Sequence, residues 1–217
     1  MSVKLKNFLV SVTMEGNEDG NKEREIETCF ICKIKNFAGI TSKATRIEKQ
    51  EQYEIRTISE GENNGVKGVI RVRAITDQED NTRYVMTTKV YFHDKKGCEE
   101  VELEVSKDMF EQIKAMAPIG HNKTRLFFPV EGSDLTWELD LYSNGAIKNP
   151  GEFEPWCRLE LELPTSTTAL PDFPIEFEEV IDTSKGKMSE EQKKLVDQLY
   201  QDVFIAHKAE NFLPLST

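Results

Sequence analysis

The 217 residues carry 28 Lys and Arg against 39 Asp and Glu, a formal net charge of −11, with 38% hydrophobic and 31% charged residues. That balance excludes duplex DNA and an anionic membrane as partners held by bulk charge, so any bound anion needs basic residues gathered locally. The length suits one large domain or two small ones, and no stretch is apolar for long enough to span a bilayer.

Residues 4–14 alternate apolar and polar side chains and predict a strand, too short and too polar to be a signal peptide. An acidic turn follows at 15–21. A second strand spans 23–35, with Glu23, Glu25, Glu27 and Cys29 on one face and Ile26, Phe30 and Cys32 on the other. Residues 37–58 are mixed: a polar stretch at 41–49 suits a helix and 52–56 a strand. The hairpin sequence at 60–65 leads into strands at 66–75, 83–93 and 99–105, separated by Asp77-Gln-Glu-Asp-Asn and Asp94-Lys-Lys-Gly turns. Ser106 caps a helix over 106–117, with Phe110, Ile113 and Met116 or Ala117 as its apolar stripe; Pro118 and Gly120 stop it. Strands resume at 122–130, 135–142 and 156–163. A proline- and threonine-rich connection at 164–174 and a short acidic stretch at 176–181 follow. Ser189 and Gln192 open a second helix that runs to about 210. This order favours one β-rich α+β domain, a barrel or sandwich, over a parallel βαβ fold.

Several strands alternate charge on one face. Glu25 and Glu27 share a face, as do Arg71 and Arg73, then Glu100, Glu102 and Glu104, Lys123 and Arg125, Glu138 and Asp140, and Arg158, Glu160 and Glu162. Any one such strand is ordinary, because antiparallel sheets commonly have one wet face. Together they are not, because a surface made only for solubility intersperses the signs, and like charges two apart repel. Clustered carboxylates suit Mg²⁺ or Mn²⁺, and clustered Arg and Lys suit phosphate oxygens. The two together describe a site for a metal-chelated polyphosphate.

The strands resemble, in order, the motifs of the CYTH domains, also called triphosphate tunnel metalloenzymes. Glu25-Ile-Glu27-Thr-Cys-Phe looks like the ExExK signature, Arg71-Val-Arg73 the RxR strand and Thr87-Thr-Lys89 the TxK strand. Glu99-Glu-Val-Glu-Leu-Glu-Val resembles the ExE strand that runs into a helix, and Lys123-Thr-Arg125 the following basic strand. Trp137-Glu-Leu-Asp140-Leu-Tyr resembles the WxxDxF strand, and Leu159-Glu160-Leu-Glu162-Leu the closing ExE. The resemblance covers about residues 23–205 of a single domain at 1–217, with 1–22 as an N-terminal extension. It implies a closed antiparallel β-barrel, a tunnel lined with charge, with a mid-chain and a C-terminal helix. It also implies a divalent-metal-dependent hydrolase, using Mg²⁺ or Mn²⁺, of inorganic tripolyphosphate, a nucleoside triphosphate or an RNA 5′-triphosphate.

Matching positions make Glu25, Glu27, Asp140, Glu160 and Glu162 metal ligands, with Glu25, Glu27, Glu160 and Glu162 as the catalytic carboxylates. Arg71, Arg73, Lys89, Lys123 and Arg125 would hold phosphate oxygens. Glu102, Glu104, Glu138 and Lys185 are secondary candidates. The chain departs from the pattern where Cys29 replaces the signature lysine, at Gly97-Cys98, and at Asp182-Thr-Ser-Lys-Gly-Lys in place of a late basic-tyrosine turn. Lys33 shares the face of Cys29 but lies about 13 Å further along. The Cys29 departure favours the alternative of a barrel that binds a nucleotide, polyphosphate or RNA end, or another protein, without turnover. A class IV-type adenylyl cyclase is a further alternative.

The remaining residues read as structural. Cys29 and Cys32 form a CxxC with no second pair to close a zinc site, so the thiols are read as reduced and the compartment as cytoplasmic. His93, His121 and His207 lack catalytic spacing and read as surface residues, His121 in a loop. Trp137 and Trp156 read as core or barrel-wall residues opposite the charged faces. The surplus glutamates at 176, 178, 179 and 190 read as a solvated face.

Overall fold

The computed structural model describes residues 26–58, 67–91, 98–117, 119–143, 155–164, 168–183, 188–200 and 203. The expected strand at 4–14, together with Glu25, His93, Lys185 and His207, lies outside the described residues. Nine strands and three helices follow in the order β1 (Ile26–Ile34), α1 (Ile40–Lys43), β2 (Arg46–Ile58), β3 (Lys67–Thr76), β4 (Thr82–Tyr91), β5 (Cys98–Glu104), α2 (Lys107–Met116), β6 (Ile119–Pro129), β7 (Thr136–Ser143), β8 (Trp156–Leu163), β9 (Phe177–Asp182) and α3 (Glu190–Leu199).

All nine strands join one antiparallel sheet in the order β5-β4-β3-β2-β6-β7-β8-β1-β9. The β-rich class and the two longer helices agree with the sequence. Among the described residues, however, β5 and β9 are edges and do not pair with one another, so the hydrogen-bonded ladder stays open where a closed barrel was expected.

Local chemistry explains the well-predicted pieces. Asp77 Oδ1 accepts from the backbone N–H groups of Glu79 and Asn81, both at 2.9 Å, which closes the β3–β4 turn around Asp80 at a φ of 63°. Ser106 Oγ accepts from Met109 N at 3.2 Å, and Ser189 with Gln192 completes a capping box on α3.

The helical reading of 41–49 needs correction. Only Ile40–Lys43 is helical, and a strand of thirteen residues starts at Arg46. Its period of two was hidden because one face carries Glu48, Gln50, Gln52 and Glu54 instead of apolar residues, and all four are buried.

Apolar side chains cover the face opposite the charge. Phe110 of α2 packs on Tyr53, Val72, Ala74 and Tyr84. A larger cluster joins Phe30, Leu126, Trp137, Leu139, Leu159 and Leu161 beneath Ile40 and Ile175. Helix α3 lies instead against one end of the charged face, where Val196 and Leu199 pack with Ile31, Tyr142 and Ile181. Trp156 joins that cluster, so it lies on the charged face and not opposite it. No helix among the described residues is long and apolar enough to cross a membrane.

Candidate functional site

The register gathers every described candidate on one face. Reading across the ladder, Glu102 stands opposite Thr87, Thr87 opposite Arg71, and Arg71 opposite Glu54. Further along, Lys123 faces Gln50, Arg125 faces Asp140, Glu138 faces Glu160, and Glu162 faces Glu27. Alternation along each strand then puts Arg73, Lys89, Glu100 and Glu104 on the same side.

The face is concave. Glu27 on β1 and Lys89 on β4 are six ladder steps apart, about 29 Å along a flat sheet. Their charges nevertheless act on one another, Lys89 pulling the Glu27 carboxyl down and Glu27 supporting the Lys89 ammonium. Only a strongly curled sheet brings them within reach.

At the β3–β4–β5 end, three cations rest on edge-strand carboxylates. Lys89 Nζ contacts Glu100 Oε2 at 2.8 Å and Arg71 Nη2 lies 3.7 Å from Glu100 Oε1. Arg73 donates to Glu102 and, at 3.1 Å, to the buried Thr87 hydroxyl. Burial and then the neighbouring Arg71 push the Arg73 guanidinium down to about 10. The partners are loosely held, since the Glu100 and Glu102 side chains are 38% and 47% exposed.

The β6–β7–β8 end is sealed. Arg125 grips Asp140 through Nε at 2.6 Å and Nη2 at 2.7 Å, and also reaches Glu138 and Glu160. Lys123 Nζ donates to Asp140 Oδ2 at 2.5 Å. Burial would raise the Asp140 carboxyl, but Arg125 and Lys123 hold it well below the usual carboxylate range. Burial, with Arg125 adding repulsion, pushes Lys123 down to about 8 against the pull of Asp140. Arg158 reaches Glu160 and lies 3.5 Å from Cys29 Sγ. Glu160, buried yet flanked by Arg158 and Arg125, stays ionised below its ordinary value.

Glu27 differs from these. Desolvation and then Glu160 raise its carboxyl above the ordinary value, although Lys89 opposes the shift. Two carboxylates sharing a position in this way fit a hard cation, since Mg²⁺ takes one or two carboxylates and completes its shell with water and phosphate oxygens. Among the described residues no group of three or more His, Cys, Asp and Glu is gathered to hold a metal ion. Glu104 and Glu162 are exposed at the strand ends.

Sequence reasoning missed the β2 stripe of Glu48, Gln50, Gln52 and Glu54. It also left Arg158 unassigned, although the alternation with Glu160 and Glu162 was the signal that placed it. His121 is not a surface loop residue. It belongs to β6, its ring lies 5.7 Å from that of Tyr142, and burial followed by Lys123 holds it down to about 4.

No family model matches the chain, and no curated protein matches it. The chain is similar to the solved structure of the PH1819 protein from Pyrococcus horikoshii OT3, with 17% sequence identity over 82% of this chain and 89% of that chain, at a TM-score of 0.42.

Proposed function

We propose that the concave polar face binds a triphosphate with Mg²⁺ or Mn²⁺ and hydrolyses it, in a sheet that closes into a tunnel-like barrel in a cytoplasmic protein. The observation that carries this is the basic clamp of Arg71, Arg73 and Lys89. The carboxylates paired with its cations among the described residues, Glu100 and Glu102, are half-exposed side chains on an edge strand, which an anion can replace. Phosphate oxygens would take their places on the three cations. Lys123 and Arg125 support the same reading less directly: they fix Asp140, Glu138 and Glu160 and offset most of their charge beside the clamp.

Glu27 and Glu160 would hold the divalent cation, which neutralises phosphate charge when bound. Glu27 is the member whose carboxyl is raised above its ordinary value, and so the stronger base of the two for an attacking water.

One observation favours a second reading, a barrel that binds a phosphate-bearing ligand without turnover. Cys29 stands where the resemblance expects a lysine, and its thiol is pushed up by burial, so it supplies no cation and little thiolate. Incubation of the full chain with tripolyphosphate, ATP and a 5′-triphosphorylated RNA, each with Mg²⁺ or Mn²⁺, separates the readings. Released phosphate supports the hydrolase, and cyclic AMP would convert it to a cyclase. A thermal shift without turnover supports the binding module, and neither turnover nor shift ends both readings.

A further inference from the structure

We propose that Gln50 and Gln52 form a subsite for an amino group carried by the phosphate ligand, which makes the ligand an organic triphosphate and not the inorganic ion. This rests on the phosphate-binding reading above. The inner face of β2 presents Glu48, Gln50, Gln52 and Glu54 in a row, at 7%, 3%, 3% and 9% exposure. Gln50 Nε2 donates to Glu48 Oε2 at 2.9 Å and Gln52 Nε2 donates to Glu54 Oε1 at 2.6 Å. Ionised carboxylates only accept, so these two bonds settle which end of each carboxamide is nitrogen. Both nitrogens are used at the outer members of the row. Both carbonyl oxygens, Gln50 Oε1 and Gln52 Oε1, are buried with no hydrogen-bond partner among the described residues.

A third unpartnered atom lies beside them. His121 is directly across the ladder from Gln52, and its Nδ1 is also buried with no partner among the described residues. With the ring held down to about 4 it is neutral at pH 7, so Nδ1 can accept. Buried polar atoms are normally satisfied; here two carboxamide oxygens lack a donor, and His121 Nδ1 and the Arg73 Nε across the ladder from Gln52 are likewise buried without a partner among the described residues, so the row is built to receive a polar group. A phosphate oxygen cannot serve, because it too accepts. An amino group offers N–H donors for both carboxamide oxygens.

The location also sets a reach. Gln52 pairs across the β2–β3 ladder with Arg73 of the clamp, one step of about 5 Å, whereas Lys89 is two strands away and four residues further along, about 16 Å on a flat sheet, so the amino group would stand about 5–16 Å from a phosphate held by the clamp. Two chemistries meet that need: the exocyclic amine of a nucleobase, and an ammonium on a short alkyl chain.

Calorimetric titration of the full chain tests the subsite. The matched pairs are ATP against ITP, CTP against UTP, and 5-aminopentyl triphosphate against pentyl triphosphate, with tripolyphosphate as the reference. A preference of roughly tenfold or more for the amino member of at least one pair is expected, and the preferred pair identifies the source. In the double variant Gln50→Met and Gln52→Met, shown to be folded by its circular dichroism, the ratio within that pair should fall to about one. Equal affinity within every pair in the native protein overturns the subsite, while binding of the triphosphates preserves the phosphate reading. A preference that survives the double variant also overturns it and leaves the two oxygens to internal water. If tripolyphosphate and every organic triphosphate fail to bind, both readings fall together.

Discussion

Arg125 and Asp140 face one another across the β6–β7 ladder, and the guanidinium holds both carboxylate oxygens, with Asp140 fully buried and Lys123 on its second oxygen. This is a two-pronged pair with little water access, where the geometry offsets desolvation only while every member is present. Asp140→Asn should therefore destabilise the fold by about 3–5 kcal/mol, because Arg125 and Lys123 are left as buried cations short of a partner. Urea unfolding measures this. An unchanged midpoint with weakened ligand binding would make Asp140 a ligand of the bound group and not a structural residue.

Arg71→Ala should behave differently. Arg71 is partly exposed and its carboxylate partner is 3.7 Å away, so little folding energy depends on it. Tripolyphosphate affinity should fall about tenfold to a hundredfold, the loss of one charge-assisted contact, while the unfolding midpoint hardly moves. Glu160→Ala should lose both binding and stability, since Glu160 joins Arg125 and Arg158 in the sealed half. Calorimetry and thermal unfolding on both variants distinguish the two halves of the face.

The edge strand leads to a third outcome. Glu102 occupies Arg73 and Thr87 in the structure, so an incoming phosphate must displace it. Glu102→Gln weakens that internal competitor and should tighten tripolyphosphate binding several-fold without added metal. Weaker binding that is restored by raising Mg²⁺ would instead identify Glu102 as a metal ligand.

His121 makes stability depend on pH. Its folded value of about 4 lies below the ordinary 6.5, so between these values the unfolded chain holds the extra proton. The stability it contributes is complete above pH 6.5 and is lost as the pH falls towards 4. At ~1.4 kcal/mol per unit over the gap between these values, the full loss is on the order of 3 kcal/mol. His121→Gln should flatten that part of the stability profile, as measured by urea unfolding at pH 7, 6, 5 and about 4.5. Profiles of equal slope would show that the proton uptake belongs to other groups.

Gly120 tests the outer face. A Cβ there would come within 2.5 Å of Tyr53 Cε1 and 2.6 Å of Cδ1, and the ring is packed against Phe110. Gly120→Ala should cost about 1–3 kcal/mol, read by thermal unfolding. A neutral result would mean that the Tyr53 ring can swing aside.

Local patterns exposed most of the sheet. Where one face is apolar and the other charged, as in Arg71-Val72-Arg73 or Leu159-Glu160-Leu161-Glu162, a period of two is visible in a single segment, and both pairs fall on the face their alternation implied. The caps at Ser106 and Ser189 were equally legible, because a cap is decided within four residues. Strand β2 was not, since a stripe of Glu48, Gln50, Gln52 and Glu54 is buried only when other strands curl over it. His121 was missed for the same reason: its burial comes from Tyr142 and β7, not from its neighbours in sequence.

The amino-acid order by itself therefore determined the strands other than β2, the capped helices and the charged pairs that share a face, because alternation and capping depend on residues a few positions apart. The tertiary structure decided how the charges on that face divide. Arg71, Arg73 and Lys89 meet half-exposed carboxylates from an edge strand, while Lys123 and Arg125 share the fully buried Asp140. In sequence these are five similar cations. Coulomb energy depends on distance and on the exclusion of water, and both are set by which strand lies next to which.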